Sequence, residues 1–295
     1  MGNIFIGANG NKKIKNAWIG TSQGSKKVKA IWIGTPQGNR KIWTSAFAFT
    51  YTGEYEVTGS LDGDFCITFL SSGLLTITSL GKAEVGVDLF CVAGGYAGSK
   101  AQYYGWVVSS TEQYYHGQGG HGGAGGACVT EKGKTVTETT YQVAVGDAGG
   151  NVSSFGSLAS ATGAGASGGK GGDEDMDNKA ATAGSDGTYA FGESNFVTFY
   201  PVGTKFGAGG GGGHGWYNYT DFPAKVGGTS GGGAGGTGGT NPTVPTTAGG
   251  NATIPGSGGG GGAAPGGVIN NQEAAELCRD GGAGMNGVVM LRNKR

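Results

Sequence analysis

The sequence has few charged residues, and their signs cancel. Asp, Glu, Lys and Arg make up 14% of the 295 residues, below the roughly 25% of ordinary globular chains, and the formal net charge is zero. A neutral chain has no sequence-wide electrostatic reason to seek nucleic acid or anionic lipid. Apolar runs of about 18 residues are also absent, and a membrane-spanning helix would need one. We therefore expect no nucleic-acid partner and no membrane span.

Cysteine is scarce, and its spacing fits no common scaffold. The four cysteines, Cys66, Cys91, Cys128 and Cys278, match neither a zinc-site spacing nor a small disulfide framework. Buried free thiols are favoured over two disulfides. The start of the chain lacks a basic segment followed by an apolar run, so no signal peptide is predicted. We expect synthesis in a cytoplasm and release by a route such as lysis.

What the sequence does contain, first, is a repeat with a period of 14 residues. Its three units, which span residues 3–44, are NIFIGANGNKKIKN, AWIGTSQGSKKVKA and IWIGTPQGNRKIWT. Each unit has an apolar pair, a glycine, a polar turn and a basic strand. This pattern predicts a small β-meander with turns at Gly20–Gly24 and Gly34–Gly38. The predicted strands are Lys12–Ile19, Lys26–Ile33 and Arg40–Ser45.

Alternation along these strands separates the tryptophans from the lysines. One interpretation is a solvated basic face over a tryptophan-rich core, and the other is a docking platform for another protein. A meander of this size has little core of its own, which adds weight to the docking interpretation. The candidate attachment residues are Lys13, Lys15, Trp18, Lys27, Lys29 and Trp32.

Short apolar or alternating runs separated by glycine turns continue from residue 46 to residue 93. Their pattern predicts five strands of a sandwich-like unit. Further along, Thr130–Val145 predicts a hairpin around Lys132–Gly133, and Asn270–Asp280 predicts a helix of two turns at most. Gly287–Arg292 predicts an apolar closing strand. The expected fold class is therefore all-β.

Glycine supplies 69 residues, about a quarter of the chain, against a usual share of roughly 7%. Long glycine runs behave either as flexible linkers or as ordered left-handed helices of the polyproline type. Helices without side chains can lie side by side and hydrogen-bond through their backbones. Order is favoured because aromatic-rich insertions separate runs of similar length and the chain closes on an apolar strand. A collagen triple helix is excluded, since no strict third-residue register holds.

Five motifs in sequence order resemble those of glycine-rich tail proteins and tail-fibre adhesins of bacteriophages and prophages. They are FTYTG at Phe49–Gly53, FLSSGLLTIT at Phe69–Thr78, VDLFCVAGG at Val87–Gly95, VAVGDAGGNVSSFG at Val143–Gly156 and GVVMLR at Gly287–Arg292. The IWIG repeats are similar to a module of such proteins. The chain departs from the family pattern after Val92, where AGGYAGSKAQYYGW replaces a long glycine run.

The resemblance implies packed polyglycine-II-type helices in a rigid sandwich, with loops at one end that contact the host surface. It implies a protein of the virion tail, with other tail or baseplate proteins and a host cell-surface polysaccharide or protein as partners. Threefold symmetry, as in a homotrimer, is typical of tail tips, and one sandwich capping a trimer fits equally well. The expected domains are an attachment module at 1–45, sandwich-like strands at 46–93 and a glycine-rich domain at 94–295.

Motifs for catalysis or cofactor binding are weak throughout the chain. Gly133–Lys134–Thr135 resembles the end of a phosphate-binding loop, but the required earlier glycine is absent. His116, His121 and His214 lie beside glycines and are expected to be exposed loop residues, since a metal needs more converging ligands. The acidic cluster Asp173–Asp177 lacks the pattern of a hand-type calcium loop. We expect a protein that is not an enzyme, with no cofactor and no metal site.

Two insertions in the glycine-rich part are crowded with aromatic side chains. Loops on a rigid scaffold frequently carry function, and Tyr and Trp offer large rigid contact areas that suit sugars and proteins alike. The alternative is that these rings form the core that glycine cannot supply. The candidate receptor-binding residues are Tyr103, Tyr104, Trp106, Tyr114, Tyr115, Trp216, Tyr217, Tyr219 and Phe222. The expected function is host binding at a tail tip, and the alternative is a purely structural baseplate or fibre-cap component.

Overall fold

The computed structural model describes the chain except residues 1–16, 29, 110–111, 173–179, 218–219, 226, 229–230, 239–244, 267–274 and 294–295. The described part consists mostly of strands in antiparallel sheets, in agreement with the expected all-β class. Helix is confined there to two 3-10 segments, Gly81–Val85 and Ala190–Gly192, and to residues 275–277 within the predicted helix. No helix in these ranges is long and apolar enough to cross a membrane.

The described part of the basic repeats contains two antiparallel hairpins. Their strands are β1 (Ala17–Thr21), β2 (Gly24–Val28), β3 (Ala30–Thr35) and β4 (Gly38–Thr44). Each hairpin closes through a two-residue turn at the predicted place, and the glycine after the turn has a positive φ, +107° at Gly24 and +114° at Gly38. Residues 26–28 and 30–33 of the predicted strand Lys26–Ile33 are extended, and residue 29 between them lies outside the described part of the chain. β2 pairs with β1, and β3 pairs with β4.

Two five-stranded antiparallel sheets surround the largest apolar core. In spatial order, the first consists of β12 (Cys128–Lys134), β9 (Val87–Val92), β20 (Val288–Asn293), β7 (Phe65–Phe69) and β6 (Tyr55–Gly59). The second consists of β15 (Ala159–Ala161), β14 (Ser153–Phe155), β13 (Thr140–Ala144), β8 (Gly73–Ser79) and β5 (Ala48–Tyr51). Side chains of both sheets, such as Phe69, Leu75 and Leu291, are fully buried in one cluster. The five strands predicted between residues 46 and 93 are present, and later strands complete both sheets.

The predicted hairpin over Thr130–Val145 is wrong. β12 pairs with β9 in the first sheet, whereas β13 pairs with β8 and β14 in the second. The segment between them passes from one sheet to the other, and Val136 and Val143 are buried in the shared core. The local pattern is that of a hairpin, but side-chain burial against strands remote in sequence determines the pairing.

The predicted closing strand is confirmed, and it lies in the interior of its sheet. β20 pairs with β9 on one side and with β7 on the other, and all six of its residues are buried. A strand that is covered on both faces needs a continuous apolar run in place of an alternating one, as in VVML at Val288–Leu291. The first sheet therefore combines strands from residues 55–92 with a strand almost 200 residues later in the chain.

Hydrogen bonds between the glycine-rich segments recur at every third residue. They run from Gly120 N to Gly262 O, from Gly123 N to Gly259 O and from Gly126 N to Gly256 O, at 2.7–2.8 Å. The carbonyl of Gly123 in turn accepts a hydrogen bond from Gly210, at 2.9 Å. One segment therefore bonds to two different neighbours, and the segments form a bundle, which we call the glycine bundle.

Glycine is required in this bundle because neighbouring backbones occupy the space of a side chain. A Cβ added to Gly122 would lie 2.0 Å from the carbonyl oxygen of Gly210, and one added to Gly210 would lie 1.9 Å from that of Gly259. Cβ atoms in proteins do not approach other atoms so closely. Any larger residue at these positions would have to push the segments apart.

The four cysteines are free thiols, as the favoured interpretation predicted, and three of them are buried. Burial raises the pKa of Cys66, Cys91 and Cys128 to about 12 and the pKa of Cys278 to about 11. The thiolate is the reactive form of cysteine. These thiols are therefore protonated and weakly nucleophilic near neutral pH.

Candidate binding surface

The two aromatic insertions come together in one antiparallel sheet, which we call the aromatic sheet. In spatial order its strands are β10 (Gln102–Ser109), β11 (Glu112–Gln118), β18 (Gly215–Tyr217) and β19 (Thr220–Phe222). The insertions meet where β11 pairs with β18, with His116 opposite Tyr217 and Gly117 opposite Trp216. Two parts of the chain that are remote in sequence thus share one surface.

Two adjacent segments of the glycine bundle position these strands. Residues 119–127 continue directly from β11, and residues 207–214 lead directly into β18. The two segments are bonded next to the sheet, where Gly213 N donates to Gly120 O at 2.8 Å. His214 adds a backbone bond to Gly236 O at 3.0 Å. Two strands of the aromatic sheet are therefore direct continuations of hydrogen-bonded glycine segments, at the same end of those segments.

The rings of the aromatic sheet divide into buried and accessible ones. Trp216 is only 2% exposed, and Tyr103 packs against a small buried cluster that includes Cys278. By contrast, Tyr104 is 40% exposed and Tyr217 is partly exposed. Trp216 and Tyr103 thus contribute to the interior, whereas Tyr104 and Tyr217 are accessible to a ligand.

The other predicted receptor-binding residues are placed by their backbone positions. Trp106 lies in β10, directly opposite Tyr114 of β11, and Tyr115 is the next residue of that strand. Phe222 ends β19. Tyr219 lies outside the described residues. Every described member of the predicted set therefore belongs to the aromatic sheet.

His116 is a buried part of this surface. It is 1% exposed and lies between two rings, that of Tyr104, nearly parallel at a centroid distance of 5.7 Å, and that of Tyr217, perpendicular at 5.8 Å. His214 is equally buried, and its Nδ1 lies 2.8 Å from the carbonyl oxygen of Ala264. The prediction of exposed histidines is wrong for both residues, because the rings of Tyr104 and Tyr217 pack against His116 and the backbones of Gly238 and Ala264 pack against His214. Within the described ranges, no three His, Cys, Asp or Glu side chains are grouped to hold a metal ion.

The two hairpins expose tryptophan at equivalent positions of the repeat. Trp18 is 59% exposed and Trp32 is 55% exposed. The expected tryptophan-rich core is therefore wrong for these two residues, whose rings are mostly exposed in the described part of the chain. In the register, Trp18 lies opposite Lys27 and Trp32 lies opposite Lys41. Among the candidate attachment residues, those outside the described part of the chain are Lys13, Lys15 and Lys29.

An ion cluster on the closing strand was not predicted. Arg292 is 4% exposed and donates to Asp88 Oδ2 at 3.0 Å and to the two carboxylate oxygens of Glu193 at 2.9 and 2.7 Å. Its guanidinium also lies over the rings of Phe191 and Phe196, 4.3 and 4.6 Å from their centroids. The cluster ties the segment around Glu193 to the sandwich. No local pattern reveals it, since its members are far apart in the sequence.

Three exposed apolar side chains in one connecting segment were also not predicted. The segment joins β16 (Thr188–Tyr189) to β17 (Lys205–Phe206), which pair with each other. Val197, Phe199 and Val202 are 54%, 49% and 59% exposed. Singly exposed apolar residues are ordinary on a protein surface.

Comparison with known proteins provides no relative from which a function could be transferred. No protein-family model, no curated protein and no solved structure matches the chain. The function has to be inferred from the surfaces themselves.

Proposed function

We propose that the chain is a tip protein of a bacteriophage tail, or of a related tail-like particle, and that it binds the host cell surface. The observation that carries the proposal is the aromatic sheet, where two remote insertions form one surface at the end of the glycine bundle. Aromatic contacts on a stiff support are what an adhesin needs. The ordered series of tail-protein motifs in the sequence supports the same class.

We further propose that the segments of the glycine bundle are polyglycine-II-type helices. Hydrogen bonds at every third residue match a helix with three residues per turn. Such a helix directs its amides and carbonyls to several sides, in agreement with the bonds of Gly123 to both Gly259 and Gly210. An array of this kind would hold the aromatic sheet rigidly.

The ligand we propose is a polysaccharide or a protein of the host envelope. Tyr104 presents an accessible ring that is stacked on His116, and Tyr217 packs edge-on against the same imidazole. Rings that are already held in place lose little torsional freedom on binding, which lowers the entropic cost of contact. Tyr104 and Tyr217 are therefore the first residues to test.

The test is adsorption to host cells of particles that carry Tyr104→Ala together with Tyr217→Ala. We expect adsorption to fall at least about tenfold, as for the loss of interface anchors, with unchanged assembly. Trp216 is unsuitable for this purpose, because its ring is buried and its removal would destabilise the fold. Tyr55→Ala is the matched control, since Tyr55 is 41% exposed but lies on β6 of the sandwich. Normal adsorption by particles that lack the protein would refute the proposal.

A purely structural baseplate or fibre-cap component is the second candidate. The burial of Trp216 and His116 favours it, because much of the aromatic content then serves packing. This candidate predicts that deletion of the protein leaves no assembled particles to test. Electron micrographs of lysates from the deletion strain separate the two candidates.

We propose that residues 1–45 attach the protein to the particle and that the glycine bundle faces outward. The exposure of Trp18 and Trp32 on the two hairpins supports this polarity. If the neighbouring tail component is a trimer, this protein could bind it either as a homotrimer or as one copy that caps the trimer. A truncation that lacks residues 1–45 should fold and bind cells but fail to join particles. Normal assembly of that fragment would contradict the polarity.

A further inference from the structure

The net charge of zero conceals a division of charge along the chain. Residues 1–45 carry eight Lys or Arg and no Asp or Glu, whereas the rest of the chain carries 12 Lys or Arg and 20 Asp or Glu. Residues 1–45 taken alone are therefore strongly basic, although the whole chain is neutral. A segment with this charge attracts an anionic partner.

The strands of this segment also offer hydrogen-bonding edges. β1 with β2 and β3 with β4 each form a sheet of two strands within the described residues. A two-stranded hairpin is marginally stable in water and gains from a further strand. The edge of a hairpin presents backbone donors and acceptors in a row, and another polypeptide strand is the partner that can pair with such a row.

Each hairpin combines its edges with an exposed anchor. Trp18 and Trp32 are more than half exposed and occupy equivalent positions of the repeat. Tryptophan is enriched among the residues that dominate interface energies. The positions opposite the two rings are Lys27 and Lys41. Both hairpins therefore carry the same three elements: a strand edge, an indole and basic positions.

We propose that the two hairpins bind acidic β-strands of a partner polypeptide by strand addition. The proposal deepens the attachment role and rests on the proposed function only for placing that partner in the particle. A second copy of the basic segment is a poor partner, since like charges on adjacent strands repel. A single-stranded nucleic acid would match the charge and the indoles but would leave the backbone edges unused. An acidic strand matches all three elements.

The experiment titrates the full-length protein at low salt with a short synthetic peptide of alternating glutamate and valine. The control peptide has the same side chains and charge, but alternate backbone amides are N-methylated and cannot donate. We expect the unmethylated peptide to bind at least about tenfold more tightly, since strand addition depends on main-chain hydrogen bonds. Added salt should weaken its binding. Trp18→Ala together with Trp32→Ala should weaken it further, and Tyr55→Ala should leave it unchanged.

Equal affinities for the two peptides would overturn strand addition, as would the absence of binding at low salt. Tighter binding of an oligothymidylate of matched charge would assign the hairpins to nucleic acid instead. Charge reversal provides a gain of function: with Lys26, Lys27, Arg40 and Lys41 replaced by glutamate, the protein should lose the acidic peptide and bind its lysine–valine counterpart. Host adsorption tests the adhesin proposal separately, because a protein without Tyr104 and Tyr217 should still bind the acidic peptide.

Discussion

The sandwich and the glycine bundle fill their interiors in opposite ways. In the sandwich, Phe69, Leu75 and Leu291 bring large side chains into a common core. In the glycine bundle, the space next to Gly122 and Gly210 is occupied by carbonyl groups of neighbouring segments. Apolar side-chain burial stabilises the first region. Backbone hydrogen bonds between segments hold the second.

The contrast shows that a buried interior need not be a side-chain core. Residues 207–215 and 255–266 are buried throughout, although most of them are glycine or alanine. Such residues bury little apolar area per residue, and glycine loses more conformational freedom on folding than any other residue. Their packing must therefore keep the hydrogen bonds satisfied. The sandwich should therefore lose stability when a buried side chain is made smaller. The glycine bundle should lose stability when a buried residue is made larger.

The largest effect is expected from truncation in the sandwich. Phe69→Ala removes a fully buried ring that contacts those of Tyr51 and Phe155, and it leaves a cavity. We expect the free energy of unfolding to fall by about 3–5 kcal/mol. Equilibrium denaturation of the full-length protein measures this change. A loss below about 1 kcal/mol would mean that the site collapses or that the core is not packed as described.

A smaller but still large effect is expected from enlargement in the glycine bundle. Gly210→Ala places a methyl group 1.9 Å from the carbonyl oxygen of Gly259, and both backbones are fixed by hydrogen bonds. We expect a loss of about 2–3 kcal/mol, in the range of overpacked interiors.

Gly20→Ala is the control for this substitution, because no atom lies within 4 Å of a Cβ added at Gly20. Its effect should stay within about 0.5 kcal/mol. If Gly210→Ala were as harmless as the control, the segments of the bundle would not be in close contact. The statement that neighbouring backbones fill the interior of the glycine bundle would then be wrong.

The strands of the sandwich were the easier part to predict, because a run of apolar residues identifies a strand locally. The five strands between residues 46 and 93 and the closing strand follow from such runs. Their pairing does not, because β20 lies between β9 and β7 while β12 and β13 join different sheets. Pairing depends on contacts between residues remote in sequence, and the periodicity of a single segment carries no information about them.

For the candidate site, the sequence identifies the two aromatic insertions that the fold brings together but not which of their rings are buried. Tyr104 and Trp216 come from equally aromatic segments, yet one is accessible and the other buried. The difference arises from what packs against each ring, and this is not local information. The same limit applies to Arg292, whose partners Asp88 and Glu193 reach it only through the fold.

Alkaline pH should weaken the sandwich through its buried thiols. Burial raises the folded-state pKa of Cys66 and Cys91 to about 12, against about 8.5 in an unfolded chain. Below pH 8.5 or so both states are protonated, and the stabilisation is fully present. As the pH rises from about 8.5 towards 12, the unfolded thiols ionise first, so stability falls by about 1.4 kcal/mol per pH unit for each thiol.

Denaturation curves between about pH 8 and pH 10, where tyrosine begins to ionise, measure this slope. The double variant Cys66→Ala and Cys91→Ala should lower the free energy of unfolding by a packing loss that is the same at every pH. It should also reduce the fall of that free energy with pH, because two ionising thiols are removed. An unchanged slope in this variant would show that these thiols are accessible to solvent or that other groups dominate the alkaline transition.

The smallest loss of stability is expected in the aromatic sheet, at Tyr104, because its ring is accessible and belongs to neither buried interior. Tyr104 is 40% exposed and makes a stacked contact with His116, so Tyr104→Ala should lower the free energy of unfolding by less than about 1 kcal/mol. Trp216→Ala provides the comparison on the same sheet, since a ring that is 2% exposed should cost about 3–5 kcal/mol on removal. Denaturation of the two variants side by side separates a ring that is available to a ligand from one that holds the sheet together. Equal losses would place Tyr104 in the packing of the sheet and remove it from the proposed binding surface.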